Sequence, residues 1–437
     1  MLAGALLPLT LCLTGGQVLL PDYSVERADV LVDPNAGDIL AVGPALDGDQ
    51  TLDTSGGLVI PGLVNAHTHA AMTLLRGYAD DKPVGAWLEE DVWPVEAELE
   101  PPDIRAGADL GILEMIRSGT TTFADMYFGV EQTAAAVEAS GVRALLGRGT
   151  VTLGKSDEAV TNDVNRSLEV AAEFAGAADG RVSTAAMPHA LSTIDEDSLR
   201  ELVERARERG FRLHYHANEN EQVDVTPLVA ENGTRPLVYA DELGALEPGD
   251  FLAHCVHVDD EEIDLLADRD AAVVHCPASN MKLASGLAPV QRMLDAGVTV
   301  ALGTDGAASN NDLDVFGEMR DAAMVGKLAA KDASAVPAEA VLQMATRNGA
   351  RALGINAGRI EPGAKADLAV VNLEQPHLTP IHDLVSHLVY AANGADVRHT
   401  VCDGAVLMRD REVLTMDEQA VRETATERAA ALVARAA

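Results

Sequence analysis

The sequence predicts an α/β fold, a (β/α)8 TIM-type barrel with a small β-sandwich built from both chain ends. Three observations predict it. The chain has 437 residues, enough for one large barrel with attachments. Between residues 60 and 355, short apolar β-branched runs ending in polar or glycine residues alternate with helix-period segments. The two flanks carry short strands with Gly, Pro and Asp turns and few helix signals.

The strand-like runs are "GLVNAHTH" (62–69), "TTTFADMY" (120–127), "VRALLGRG" (142–149), "VSTAAMPH" (182–189), "FRLHYHANE" (211–219), "DFLAHCVH" (250–257), "AAVVHCP" (271–277) and "VTVALGTDG" (298–306). Eight strand–helix units favour a closed barrel over an open doubly wound sheet. The intervening helices have readable ends. "TIDEDSLRELVERARERG" (193–210) has acids in its first turn, arginines in its last and glycine as its stop, and "DIRAGADLGILEMIRSG" (103–119) and "LAPVQRMLDAG" (287–297) end in the same way. The expected division is 1–60 for the N-terminal part of the sandwich, 61–358 for the barrel, and 359–437 for the C-terminal part plus a terminal helix in "DEQAVRETATERAAALVARAA".

Charge excludes some partners. Asp and Glu number 69 against 32 Lys and Arg, a formal net charge of −37, so nucleic acid and anionic membranes are repelled. The acidity is spread along the chain, and only six basic residues are lysine (Lys82, Lys155, Lys282, Lys327, Lys331, Lys365). That is the surface expected of a halophilic protein in a high-salt cytoplasm, where salt screens self-repulsion. Cys12, Cys255, Cys276 and Cys402 form no CxxC pair, which fits a reducing compartment. "MLAGALLPLTLCL" lacks the leading basic residue and cleavage site of a signal peptide and is too short to span a bilayer. The first strand is expected from about residue 11, with a start-site extension before it.

Polar residues collect at the ends of the runs. His67 and His69 end the first, His189 the fourth, and His216 and Glu219 the fifth; His254 lies in the sixth, His275 in the seventh, and Asp305 ends the eighth. Barrel active sites form at the carboxyl ends of the strands, so these side chains converge on one mouth. Singly, each has a structural explanation: a buried hydrogen-bonded histidine, or an aspartate in a turn. Jointly, two histidines two apart, a third on another strand and an aspartate on the last make a mixed N/O shell for a divalent transition metal, with positions left for water. Within "LHYHANENE" (213–221), His214 and His216 share a strand face, with Glu219 and Glu221 just beyond.

"PGLVNAHTHAAMTLLRG" (61–77), "AHCVHVDDEEI" (253–263), "HCPASNMKLASGLAPVQRM" (275–293) and "ALGTDGAASNNDLDVFGEMR" (301–320) resemble the amidohydrolase superfamily. Within it they are most similar to the 5′-methylthioadenosine/S-adenosylhomocysteine deaminase family and its atrazine chlorohydrolase-like relatives. The resemblance extends to the flanking "GRIEPGAKADLAVVNL" and covers nearly the whole chain. It implies one divalent metal per subunit, Zn²⁺ with Fe²⁺ as the alternative, held by His67, His69, His216 and Asp305. Dinuclear members use a bridging lysine or glutamate on a middle strand, whereas "MPHALST" ends the fourth run here with His189 and no lysine.

The resemblance further implies hydrolytic deamination of a nucleoside by a cytoplasmic homo-oligomer. Asp305 takes the proton of the attacking water, His254 orients that water, and Glu219 donates a proton to the ring nitrogen before ammonia leaves. Glu96 in "VWPVEAEL" matches a residue binding the ribose hydroxyls, Arg148 in "GRGTV" one meeting the homocysteine carboxylate, and His189 one touching the nucleoside. A second family arginine is replaced by Val160, for which Lys155 or Arg166 are substitutes. His214, about 7 Å deeper than His216, is expected to pack among the strands, and Glu221 to be solvated. Alternative substrates are 5′-deoxyadenosine, adenosine, guanine, 8-oxoguanine or a triazine. A catalytically inactive member with a binding role is the alternative of another class.

Overall fold

The computed structural model describes residues 9–437, so the expected start-site extension lies mostly outside the described residues. Eight parallel strand segments carry the centre of the molecule. In chain order they are β1 (Leu63–His69), β2 (Thr120–Tyr127), β3 (Arg143–Thr150), β4 (Val182–Thr184 with Met187–Pro188), β5 (His214–Ala217), β6 (Phe251–His254), β7 (Ala272–His275) and β8 (Val300–Leu302 with Asp305–Gly306). β1 to β4 pair in succession, as do β5 to β8. The bridges Ala186↔Leu213 and Ala190↔His216 join β4 to β5, and Asp305↔Thr68 returns β8 to β1. The cycle of parallel pairings therefore comes back to its first strand.

Parallel strands covered on both faces read as continuous apolar runs. Accordingly every residue of β2 is buried. The connecting helices are set by local chemistry. Helix Glu196–Glu208 begins where Asp195 accepts from the Ser198 amide, and buries Leu199, Leu202, Val203 and Ala206 at helical spacing. Its Arg207 reaches Asp250 at 2.8 Å, and Asp250 accepts from the Leu213 amide at 2.7 Å, tying the helix to the start of β5 and β6.

Two glycines are required by close approach. A Cβ on Gly107, in helix Pro101–Arg117, would sit 2.3 Å from the Ala71 carbonyl oxygen; that contact seats the turn following His69. A Cβ on Gly303, between the two halves of β8, would lie 2.9 Å from the Cβ of His67. β8 can pass close to β1 only because this position carries no side chain.

The flanking strands form two further sheets. One contains Leu11–Thr14, Asp29–Asp33, Asp38–Gly43 and Gln50–Asp53. The other joins Gly57–Pro61 to Leu368–Asn372, and so mixes both ends of the sequence. Leu13, Val30, Val59, Leu368 and Val401 share one apolar cluster between the two sheets. Helix Glu418–Ala436 packs away from these sheets, on helix Pro101–Arg117. There Arg435 pairs with Asp103, Arg117 with Glu418 at 2.6 Å, and Leu432 is buried in a cluster with Trp87, Val92 and Val95. All four cysteines are buried and free. No helix among the described residues is long and apolar enough to cross a membrane.

Candidate active site

At the carboxyl ends of the strands lies a cavity of about 340 Å³, whose lining includes His69, His189, His216, Glu219, Asp305 and Glu96. Ligand atoms of His67, His216, His254 and Asp305 lie within 4.8 Å of one another. His69 joins them, its Nε2 being 3.2 Å from both Asp305 Oδ1 and His216 Nε2. All four residues expected to hold a metal are thus brought together, and His254, expected to orient water, completes the cluster. Asp305 Oδ1 also lies 3.4 Å from His67 Nε2.

The backbone around these residues is strained. Asn218, His254 and Asp305 have φ of 47°, 73° and 62°, a left-handed region that side chains rarely adopt. Each turn re-aims a strand end. Asn218 is held by Glu262, whose oxygens accept from its Nδ2 at 3.0 Å, and the following residue is Glu219. Asp305 is held by hydroxyl donors, Ser279 at 2.6 Å and Ser309 at 2.8 Å, both to Oδ2, which leaves Oδ1 for the histidines.

Tautomers follow from the hydrogen bonds. The Nδ1–H of His69 donates to the Met126 carbonyl and that of His216 to the His189 carbonyl, each at 2.6 Å. A carbonyl only accepts, so in the neutral rings both Nε2 atoms present lone pairs, and these face each other. In the metal-free chain a proton relieves the conflict. Burial disfavours charge on His69, but the facing Asp305 carboxylate outweighs it and raises the imidazole to about 9. Burial pushes His67 down to about 4. One proton cannot serve the whole group, because the buried Nε2 atoms of His67 and His254 have no hydrogen-bond partner among the described residues. A divalent cation fits this set: imidazole lone pairs and a carboxylate, converging and unsatisfied.

Glu219 Oε2 lies 3.7 Å from His254 Nε2, and its side chain is 18% exposed. Burial raises its carboxyl to about 7, so an acid form is present at neutral pH. Glu96 is half-buried and its carboxyl is raised by desolvation, and Tyr127 donates to its Oε1 at 2.6 Å. The His189 ring lies against His216, centroids 4.6 Å apart, and its Nδ1 bonds the Thr193 hydroxyl. His275 is buried nearby in β7 but lies outside the ligand cluster. His214 is fully buried, and Glu221 is exposed.

Arg148 is not brought into the cavity lining. Its guanidinium pairs with Asp163 at 2.9 Å and lies over Phe128, which does line the cavity. Lys155 lines the cavity and pairs with the other oxygen of Asp163, whereas Arg166 pairs with Glu131 outside. Tyr127, Asp163, Ser279 and Ser309 escaped sequence reasoning. Tyr127 had a signal, since it ends the second run at the carboxyl edge; a hydroxyl or carboxylate that pairs across the fold carries none.

The sequence matches the amidohydrolase family over residues 58–407. It is 66% identical over 428 residues to the 5-methylthioadenosine/S-adenosylhomocysteine deaminase of Haloarcula marismortui, covering 98% of this chain and 99% of that one. It is 46% identical over 429 residues to the 5′-deoxyadenosine deaminase of Methanosarcina mazei, covering 95% and 99%. The crystal structure of an adenosine deaminase from Xanthomonas campestris with bound zinc superposes with a TM-score of 0.92 at 37% identity, over 97% of this chain and 98% of that one.

Two outcomes are expected. A cation must displace the proton on His69, so metal affinity should climb by up to about tenfold per pH unit and level off near 9, as read by chelator competition. The raised Glu219 carboxyl makes the metal-free fold lose stability as pH rises through about 7. Metal-free Glu219→Gln should therefore be more stable than the parent by roughly 1–3 kcal/mol at about pH 8, the gap narrowing toward about pH 5 in thermal melts.

Proposed function

The chain belongs to the amidohydrolase family, and from that membership and the cavity's chemistry we propose that it is a metal-dependent aminohydrolase converting 5′-methylthioadenosine and S-adenosylhomocysteine to their inosine derivatives and ammonia. The observation that carries this reading is the placement of Glu219, a carboxyl raised by burial, 3.7 Å from His254 Nε2 in the same cavity as the ligand cluster. Expelling ammonia from adenine requires the ring to accept negative charge during attack, and a protonated carboxyl beside the ring nitrogen supplies the compensating proton.

His67, His69, His216 and Asp305 would hold one divalent cation, and the zinc in the solved relative supports zinc as its identity. When bound, such a cation lowers the pKa of water toward neutrality. Asp305 accepts the proton of the attacking water, and His254 Nε2 orients it. Glu219 protonates N1 as the water oxygen adds at C6. The C6–N bond then breaks as Asp305 passes the water proton to the amino group, which leaves as ammonia; the C6 hydroxyl returns a proton to Glu219, and the carbonyl of hypoxanthine, protonated at N1, remains. Glu96, its Oε1 taken by Tyr127, has its other oxygen to accept from the ribose hydroxyls, and His189 contacts the nucleoside.

5′-Deoxyadenosine is the second reading, favoured by Leu88, Trp93 and Leu153 in the cavity lining, which suit an uncharged 5′ substituent. In the main reading Lys155 meets the homocysteine carboxylate, because it lines the cavity and Arg148 does not. The fold reading that accompanies this is a (β/α)8 barrel over 61–358, with 1–60 and 359–437 giving the two parts of a β-sandwich plus a terminal helix. The cycle of parallel pairings and the apolar cluster shared by the two outer sheets support it. Net charge −37 with six lysines supports a high-salt cytoplasm. A homo-oligomeric state belongs to the same reading, supported by the family resemblance alone.

Steady-state deamination of S-adenosylhomocysteine, methylthioadenosine, 5′-deoxyadenosine and adenosine at high salt, with metal analysis of the same sample, tests the assignment; no ammonia from any of them overturns it. Glu219→Gln should keep its metal and lose a factor on the order of 10²–10⁴ in kcat. Lys155→Met should lower kcat/KM for S-adenosylhomocysteine by roughly 10–100-fold, the worth of a charge-assisted hydrogen bond, and leave methylthioadenosine nearly unchanged.

A further inference from the structure

Three imidazoles of the cluster, those of His67, His69 and His216, each need their second ring nitrogen anchored if Nε2 is to face the cation. His69 and His216 are anchored on backbone carbonyls, which no side-chain substitution removes. His67 is anchored differently. Its Nδ1 lies 2.8 Å from Nε2 of His214, and His214 Nδ1 lies 2.7 Å from the carbonyl oxygen of Phe251.

The order of donors along this chain is fixed at one end. The Phe251 carbonyl can only accept, so His214 carries its proton on Nδ1 and offers a lone pair at Nε2. His67 must then carry its own proton on Nδ1, leaving Nε2 as a lone pair, 3.4 Å from Asp305 Oδ1. The reverse order would require a cationic His214. Such a charge would lie fully buried, with its ring stacked at 12° and 4.1 Å on Phe251. The stack also holds the plane of His214, so the relay is fixed in direction as well as in proton order.

We propose that His214 is a positioning residue for the cation site: through Phe251 O, His214 and His67 it selects the His67 tautomer that can ligate, and so sets metal affinity without touching metal or substrate. The proposal rests on His67 being a ligand. Partners of this kind commonly contribute about 10–100-fold in metal affinity.

The test uses two substitutions in the full chain with zinc as the probe. His214→Phe keeps a flat ring on Phe251 but removes the acceptor; His214→Gln supplies a carbonyl oxygen that can accept from His67 Nδ1–H. Chelator competition should show the Phe variant binding zinc about 10–100-fold more weakly. The Gln variant should stay within a few-fold of the parent, and all three should melt cooperatively without metal, so that weaker binding in the Phe variant is not a loss of the fold. Zinc affinity unchanged in the Phe variant, or lost equally in both, overturns the proposal. A second measurement needs no variant: ¹⁵N histidine spectra of the metal-free parent should report His67 protonated at Nδ1, and a proton at Nε2 alone overturns the relay. A parent chain that binds no zinc overturns the proposed function instead, and the nitrogen spectra still decide the relay.

Discussion

Asp305 Oδ1 lies 3.2 and 3.4 Å from two imidazole nitrogens at the floor of the cavity, and the surrounding structure keeps that contact from drifting. Ser279 and Ser309 hold the other carboxylate oxygen. One residue earlier, Thr304 donates its amide to Asn65 Oδ1 and receives Asn65 Nδ2 on its hydroxyl, at 2.9 and 2.7 Å, clamping β8 to β1 beneath the cluster. Asn310 bonds the Thr304 carbonyl and is itself held by the buried Glu318 at 2.7 Å. A donor set in which every ring nitrogen has one permitted orientation loses little conformational freedom when a cation arrives, which is the physical content of preorganisation.

The same arrangement explains what the sequence could and could not disclose. Strand ends are legible because a short apolar run stops at a polar residue, and this alone brings His67, His69, His216 and Asp305 to one edge. Glu219 is legible by resemblance, but the turn that aims it is not: asparagine is enriched in the left-handed region, yet that preference alone does not mark Asn218, and nothing in "HANE" announces the Glu262 carboxylate that holds it. Arg148 illustrates a different limit. Its place at the end of β3 follows from the strand pattern, yet whether its guanidinium enters the cavity depends on Asp163, which comes from the following helix and draws it aside. His214 is buried among the strands as its depth suggests, but packing is only half of its environment: its contact with His67 joins residues 147 apart in sequence. Through-space partners chosen by side-chain reach leave no periodic trace.

The charge of the chain and the charge of the site obey different rules. Most of the excess acidity is solvated, where salt at high concentration screens interactions beyond a few ångströms. The cluster around Asp305 is buried, and mobile ions do little to interactions there. Changing the ionic strength should therefore act on the fold and on substrate encounter far more than on proton placement among the histidines. Lys155 belongs to neither regime, being partly exposed and shared between Asp163 and the cavity.

Several pairings described above join distant parts of the sequence: β1 closes on Asp305, and Gly57–Pro61 lies beside Leu368–Asn372. Helix Glu418–Ala436, which buttresses Trp87, Val92 and Val95 beside the cavity, comes later still. During translation the first strands thus wait, with open apolar edges, for partners synthesised roughly 10 to 70 seconds afterwards at about 5–20 residues per second. A chain of this architecture must therefore keep those edges from aggregating before the histidines and Asp305 can meet.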